Sequence, residues 1–335
     1  MSTVALAPPR RGIPGLGRHN LPLIATIIVW AILYAIACVS FEGFFSARVF
    51  LNFISDNAFL GVAAVGVTFV ILSGGIDLSV GAVIALTSIL VATLIKGTGR
   101  LPALHPAIAI AIALALGTLF GLAQGALIRF FNLPAFLITL AGLFFCRGTA
   151  LLISEESLPI THPFFGALSD IAIPLGDRLR LSLPGIVFLA VLIAGIYIAR
   201  WTAFGRNCYA LGGSEQSAGL MGLPVGPTKT TVYALSGFCS ALAGVLFAVY
   251  TTSGNATAAG GLELDAIAAV VVGGTLLNGG SGSVAGTLFG ILIFGVIRTG
   301  IQFKGNVDAA WTRITIGLLL LAFILLQKLI QRKGR

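Results

Sequence analysis

Long apolar runs alternate along the chain with short polar or glycine-rich connections. A helix needs about 20 largely apolar residues to cross about 30 Å of hydrocarbon, because lipid cannot satisfy exposed backbone N–H and C=O groups. Ten runs are candidates: 21–40, 57–73, 77–96, 106–130, 134–153, 183–199, 230–250, 263–278, 283–301 and 312–328. The second, third, eighth and ninth are short or interrupted. The pattern predicts an all-α polytopic integral membrane protein of about ten transmembrane helices (8 to 10), some of them broken. The first run exceeds the 7 to 15 residue core of a signal peptide and no small-residue cleavage site follows it, so it reads as an anchor.

Composition agrees. Of 335 residues, 57% are apolar and 9% charged, with a mean hydropathy of +1.05. A water-facing surface needs about 25% charged residues, so a soluble domain is excluded. Cys38, Cys146, Cys208 and Cys239 are far apart and form no C-x-x-C pair, which supports neither a disulfide framework nor a metal site. The net charge of +9 is scattered singly between apolar runs and does not form the basic stripe that nucleic acid requires. It reports orientation instead. With both termini cytoplasmic, residues 1–20, 129–133, 200–229 and the tail from Lys328 hold eleven basic residues against one acid, Glu215, as the positive-inside rule expects. The organisation predicted is a cytoplasmic arm over 1–20, a transmembrane domain over 21–328 with a cytoplasmic loop at 200–229, and a cytoplasmic tail over 329–335.

An internal repeat stands out. Leu72-Ser73-Gly74-Gly75-Ile76-Asp77-Leu78-Ser79-Val80-Gly81 returns in altered form about 205 residues later as Leu277-Asn278-Gly279-Gly280-Ser281-Gly282-Ser283-Val284-Ala285-Gly286. Gly-Gly pairs that interrupt helices at membrane depth free backbone groups to line a polar pathway; the alternative is two tight cytoplasmic turns. Gly117, Gly121 and Gly125, and the string Gly286-Thr-Leu-Phe-Gly290 that repeats Gly117-Thr-Leu-Phe-Gly121, put small residues four apart and predict close helix packing.

A charge near the bilayer centre costs about 3 kcal/mol, so intramembrane charges are candidates for function. Asp77 lies in the first break, with helix capping as its structural alternative. Asp56 and Asn57 open the second run, Glu263 and Asp265 the eighth, and Arg147 is expected to snorkel outwards or pair with Glu155 or Glu156. Neutral polar residues in or beside these runs include Asn57, Ser73, Thr275 and Asn278. No catalytic centre emerges: His19, His105 and His162 stand in different connecting segments and are read as solvated, and no phosphate-cradling loop with Lys is present, so any ATP is bound by another polypeptide.

In the loop 200–229, Ser214 is placed to cap a short helix, Glu215 suits its positive end and Pro224 follows it. Ala218 and Met221 would share one face by i, i+3 spacing. Such a helix is a docking element for a soluble partner. On Ile71-Leu-Ser-Gly-Gly-Ile-Asp-Leu-Ser-Val-Gly81, Phe204-Gly-Arg-Asn-Cys-Tyr-Ala-Leu-Gly-Gly213 with Glu215 to Gly222, and Gly273-Gly-Thr-Leu-Leu-Asn-Gly-Gly-Ser-Gly-Ser-Val-Ala-Gly-Thr287, the sequence over residues 20–330 resembles the ribose/xylose/arabinose-type sugar permeases of bacterial ABC importers. Asp56 to Gly61, Pro134 to Gly142 and Ser154 to Pro159 are similar to one permease subunit of the galactofuranose importer.

The resemblance implies a multi-pass subunit of the bacterial inner membrane that imports a monosaccharide, galactofuranose-like or another pentose or hexose, by alternating access. It implies a second permease subunit, a cytoplasmic ATPase that uses ATP and Mg, and a periplasmic sugar-binding protein, with no cofactor on this chain. Ser73, Gly74, Gly75, Asp77, Thr275, Asn278, Gly279, Gly280 and Asn57 become pathway candidates. Ser214, Glu215, Ala218, Met221 and Gly222 become the coupling helix, although Glu215-Gln216-Ser217 departs from the family's usual E-A-A start. The competing readings are a branched-chain amino acid ABC permease and an ion-coupled secondary transporter.

Overall fold

The computed structural model describes residues 21–97, 102–176, 179–305 and 310–332. The predicted arm, with His19, and tail residues 333–335 lie outside them. A helix falls on each of the ten predicted runs: α1 (Leu21–Ser40), α3 (Ala58–Leu72, preceded by α2, Ala47–Asp56), α4 (Val80–Lys96), α5 (Pro106–Phe130), α6 (Ala135–Ile153), α8 (Leu183–Trp201), α11 (Val225–Thr251), α12 (Leu262–Val272), α13 (Val284–Lys304) and α14 (Ala310–Arg332). Between them lie α7 (Pro163–Asp170), α9 (Ala203–Gly213) and α10 (Glu215–Leu220). Two small antiparallel sheets complete the chain, β1 (Leu158–Pro159) with β4 (Ser253–Gly254) and β2 (Ala172–Gly176) with β3 (Leu179–Ser182).

Among the described residues six helices, α1, α5, α6, α8, α11 and α13, are long and apolar enough to cross a membrane alone. A seventh span forms if α2 and α3, bent by 58° at Asn57, count as one. The expected ten therefore includes three shorter helices. α4 is a shorter apolar helix, as is α14 over Ala310–Leu325, and α12, at 11 residues, rises only about 16 Å.

α11 is the axis of the bundle and packs on α5, α3 and α4. Every residue of α3 but Phe59 is buried. The small-residue seams do what their spacing predicts. Gly117, Gly121 and Gly125 of α5 face Ala241, Tyr233 and Thr230 of α11, where an added Cβ would meet backbone or Ala241 Cβ, and Gly286 and Gly290 of α13 lie on Gly273 and Ala269 in the same way.

The two ends of the bundle differ. One gathers the α3–α4 and α12–α13 breaks, the α5–α6 turn, α9, α10 and the start of α1. The other carries α2, α7 and both small sheets. His105 and His162 are structural here rather than merely solvated: each Nδ1 accepts a backbone N–H, from Ala107 and Phe164 respectively at 3.2 Å, and so caps α5 and α7.

Candidate functional site

The repeat is present in three dimensions, in a register different from the one its Gly-Gly pairs suggest. α3 ends on a left-handed Gly74 (φ +82°), with Gly74 N–H donating to Ile71 O and Gly75 N–H to Val70 O, both at 2.9 Å. α12 ends on a left-handed Gly274 (φ +91°), with Gly274 N–H donating to Val271 O at 2.9 Å and Thr275 N–H to Val270 O at 3.2 Å. These are two copies of one Schellman cap, a conformation that glycine adopts without a Cβ penalty. Gly74 therefore corresponds to Gly274, and the next helices start after Ser79 and Ser283. The second loop is four residues longer, and Gly279-Gly280 lies within the extra length.

The first break is tied together by Asp77, which is 2% exposed. Its Oδ1 accepts from Ser79 N–H at 2.9 Å and Ser79 Oγ at 2.7 Å, and its Oδ2 from Ser236 Oγ of α11 at 2.7 Å. The carboxylate ties the loop to the N-cap residue Ser79 and to α11, while α4 itself has no side-chain cap. The second break is held by its neighbours. Tyr209 of α9 donates to Gly282 O at 3.1 Å, Thr26 of α1 to Val272 O at 2.7 Å, and Gly280 N–H to Leu72 O at the end of α3 at 3.0 Å. Thr275 is fully buried and its Oγ1 has no partner among the described residues, whereas Asn278 is exposed.

The breaks meet at Gly212 of α9. A Cβ there would strike Leu72 O and Gly280 N, and one on Gly279 would come within 2.7 Å of Gly74 N. This junction leads straight into α10. Ser214 Oγ accepts from Ser217 N–H at 3.2 Å, and Glu215 pairs with Lys229 at 2.6 Å. Gly222 (φ +75°) closes a third Schellman cap, with Leu223 N–H donating to Ala218 O at 3.1 Å. The shared face expected for Ala218 and Met221 does not form. The helix stops at Leu220, Ala218 is turned inward at 1% exposure, and the outward apolar pair is Leu220 (84%) and Met221 (68%). A cavity of about 300 Å3 lies between this element and the first break, lined by Ser73, Gly75, Asn132, Glu215, Lys229 and Tyr233.

Asn57 is not brought to the breaks. It sits in the α2–α3 bend at the opposite end, where its Oδ1 accepts from Arg298, which also bridges to Asp265 at 2.8 Å. Arg298 was missed by the sequence reading, although one cation inside the run 283–301 was its signal. Arg147 neither snorkels nor meets Glu155 or Glu156. It donates to Ala256 O at 2.8 Å and Ala258 O at 2.7 Å and braces the loop before α12. No group of three or more metal-ligating side chains occurs among the described residues, and all four cysteines are unpaired, three of them buried.

A bundle of apolar helices, two of them broken and re-capped around a shared junction under a short exposed helix, defines a polytopic membrane permease. A family described as "Branched-chain amino acid transport system / permease component" matches residues 49–324, and the chain belongs to it. It is 50% identical to the inner membrane ABC transporter permease protein YjfF of Escherichia coli (strain K12), over 93% of both chains. It is 36% identical to the fructose import permease protein FruG of Bifidobacterium longum (strain NCC 2705), over 97% of this chain and 96% of that protein. The ribose import permease protein RbsC of Escherichia coli (strain K12) is 37% identical over 84% of this chain and 86% of that protein. No solved structure matches the chain. The protein is thus a multi-pass inner-membrane permease subunit of an ABC transporter and not itself an enzyme; ATP hydrolysis belongs to a separate ATPase.

Proposed function

We propose that the chain is the membrane-spanning subunit of a monosaccharide importer, with galactofuranose as the first cargo to test. The observation that carries this reading is the near full-length similarity to permeases named for fructose and ribose import. Both termini are cytoplasmic, as the distribution of basic residues favours. The chain pairs with a second permease subunit, identical or different, and receives sugar from a periplasmic binding protein. ATP and Mg reside on the cytoplasmic ATPase.

Segment 214–222 is the coupling helix. Leu220 and Met221 present the apolar knob that an ATPase groove would take, and Gly212 passes its displacement to both broken helix pairs at once. Ser73, Gly74 and Asn278 then change their access to water as the pairs repack, while Asp77 and Thr275 remain inside the hinge. Single cysteines at 73 and 278, in a background lacking Cys38, Cys146, Cys208 and Cys239, test this with a membrane-impermeant thiol reagent applied from each side. Burial pushes the Cys208 thiol up to about 12. Labelling that changes sides with nucleotide trapping supports alternating access, and labelling from one side in every state refutes it.

The cargo is tested by reconstituting the complex that co-purifies from mild detergent and measuring ATP-dependent uptake of labelled galactofuranose, ribose and leucine. Leucine uptake would move the assignment to the amino acid branch that the family description names. Uptake driven by an ion gradient without ATP would make the protein a secondary transporter.

A further inference from the structure

At the end of the bundle that holds the two breaks, a second cavity of about 300 Å3 opens between the start of α1, the end of α8, α9 and the second break. Pro22, Arg200, Arg206, Tyr209, Gly274 and Ser283 line it. Arg200 and Arg206 are exposed and enter no salt bridge among the described residues, since the acid nearest in sequence, Glu215, is taken by Lys229. Residues 1–20, which lead into Pro22, contain Arg10, Arg11 and Arg18 and no acid, so they offer nothing that would neutralise the pair. α13 starts just after its N-cap Ser283 on the cavity wall and turns the positive end of its 21-residue dipole to the same side.

The flanks say what kind of anion fits. The last turn of α8 carries Tyr197 and Trp201, stacked at 5.7 Å and 59% and 61% exposed, as rings at the headgroup level of a bilayer are. The two helices that frame the opening are largely uncovered by protein, with 11% of the span buried in α1 and 33% in α8. The cavity therefore opens to lipid as well as to water. Basic pockets between transmembrane helices at this depth hold anionic lipid headgroups.

We propose that this cavity is a binding site for an anionic phospholipid headgroup. The phosphate sits between the Arg200 and Arg206 guanidinium groups, and the acyl chains run up the exposed faces of α1 and α8. The bound headgroup braces the second break from its open side, where Tyr209 already holds Gly282.

The test uses the full-length chain in nanodiscs of phosphatidylcholine with or without phosphatidylglycerol, and reads the thermal unfolding midpoint together with native mass spectrometry of retained lipid. Two basic residues at the surface should give a retention preference of about thirtyfold for phosphatidylglycerol, with a rise in midpoint. Arg200→Gln with Arg206→Gln should abolish both, Arg200→Lys with Arg206→Lys should keep most of the preference, and Lys304→Gln at the other end should change neither. Equal behaviour in the two lipids, or an effect that survives the double Gln change, overturns the proposal. So does a midpoint rise reproduced by inorganic phosphate in pure phosphatidylcholine, which would make the ligand a free anion. Loss of ATPase co-purification in the double Gln variant without loss of lipid retention would reassign the arginines to the protein partner.

Discussion

At the first break a single buried carboxylate gathers Ser79 and Ser236 around itself, and the loop Ser73–Ser79 is further held by Thr139 and Tyr233, which donate to Ile76 O, and by Gln124, which accepts from Ser79 Oγ. At the second break there is no acid. A longer loop, with Gly279, Gly280 and Gly282 all at positive φ, leans on hydroxyls from α1 and α9 and on a carbonyl of α3. Both breaks open from the same helix cap, so the difference lies in what replaces the helical hydrogen bonds that the cap ends. One hinge is organised around a buried acid with partners on α5, α6 and α11, and the other has no acid and is held by α1, α3 and α9.

The largest expected effect breaks the symmetry at glycine. Gly279→Ala places a Cβ at positive φ and within 2.7 to 2.9 Å of Gly74 and Gly212 backbone, so it should destabilise by about 3 kcal/mol or more, the left-handed penalty plus overpacking. Gly74→Ala meets only ordinary contacts at 3.6 and 3.7 Å and should cost about 1 kcal/mol from its φ alone. Thermal unfolding midpoints in detergent rank the pair. Equal losses would mean that the two loops do not touch as described.

Next comes Asp77→Asn. The amide replaces an acceptor by a donor that faces hydroxyl or N–H groups already donating, and a buried unsatisfied polar pair costs about 1–3 kcal/mol. Asn278→Ala, on the exposed part of the other loop, should stay within about 0.5 kcal/mol. A similar unfolding midpoint for both variants would remove the claim that the first break is locked by its carboxylate.

How far the sequence carried this picture follows from the kind of signal involved. All ten apolar runs became helices, because run length and hydropathy are local properties. The capping of α10 by Ser214 and its closure near Gly222 were also legible, since caps are set by residues a few positions apart. What failed was long-range. Gly-Gly similarity aligned Gly74 with Gly279, but the cap hydrogen bonds align it with Gly274. Arg147 reached carbonyls 109 and 111 residues away, a partnership no spacing rule anticipates. Met221 left the face of Ala218 because the helix ends one residue before it. For the candidate site, adjacency in the sequence placed Ser73 to Asp77 together in the first break, and chemistry alone grouped Asn57 with them, although it lies at the other end.

A smaller effect sharpens the dependence of the second break on α9. Tyr209→Phe removes one hydrogen bond to Gly282 O, worth about 1 kcal/mol. Burial raises the phenol's pKa in spite of Arg200 beside it, so the donor is present throughout the neutral range. Labelling of a cysteine at 278 should speed up in this variant, and labelling at 73 should not. An equal change at both would show one hinge rather than two.

The smallest change expected is at Thr275, and its sign is informative. Thr275 Oγ1 is fully buried without a partner among the described residues, so the native side chain already bears the desolvation cost of a polar atom that makes no hydrogen bond. Valine has nearly the same shape and carries a methyl group where threonine has the hydroxyl. Thr275→Val should therefore leave the unfolding midpoint unchanged or raise it slightly, by less than about 1 kcal/mol. The control is Thr68→Val, which breaks the buried 2.8 Å hydrogen bond between Thr68 and Thr287 that ties α3 to α13, and should lower the midpoint. If Thr275→Val lowers it as much as Thr68→Val does, the hydroxyl has a partner in the working transporter, and the second break is closed by a contact made only when the hinge moves.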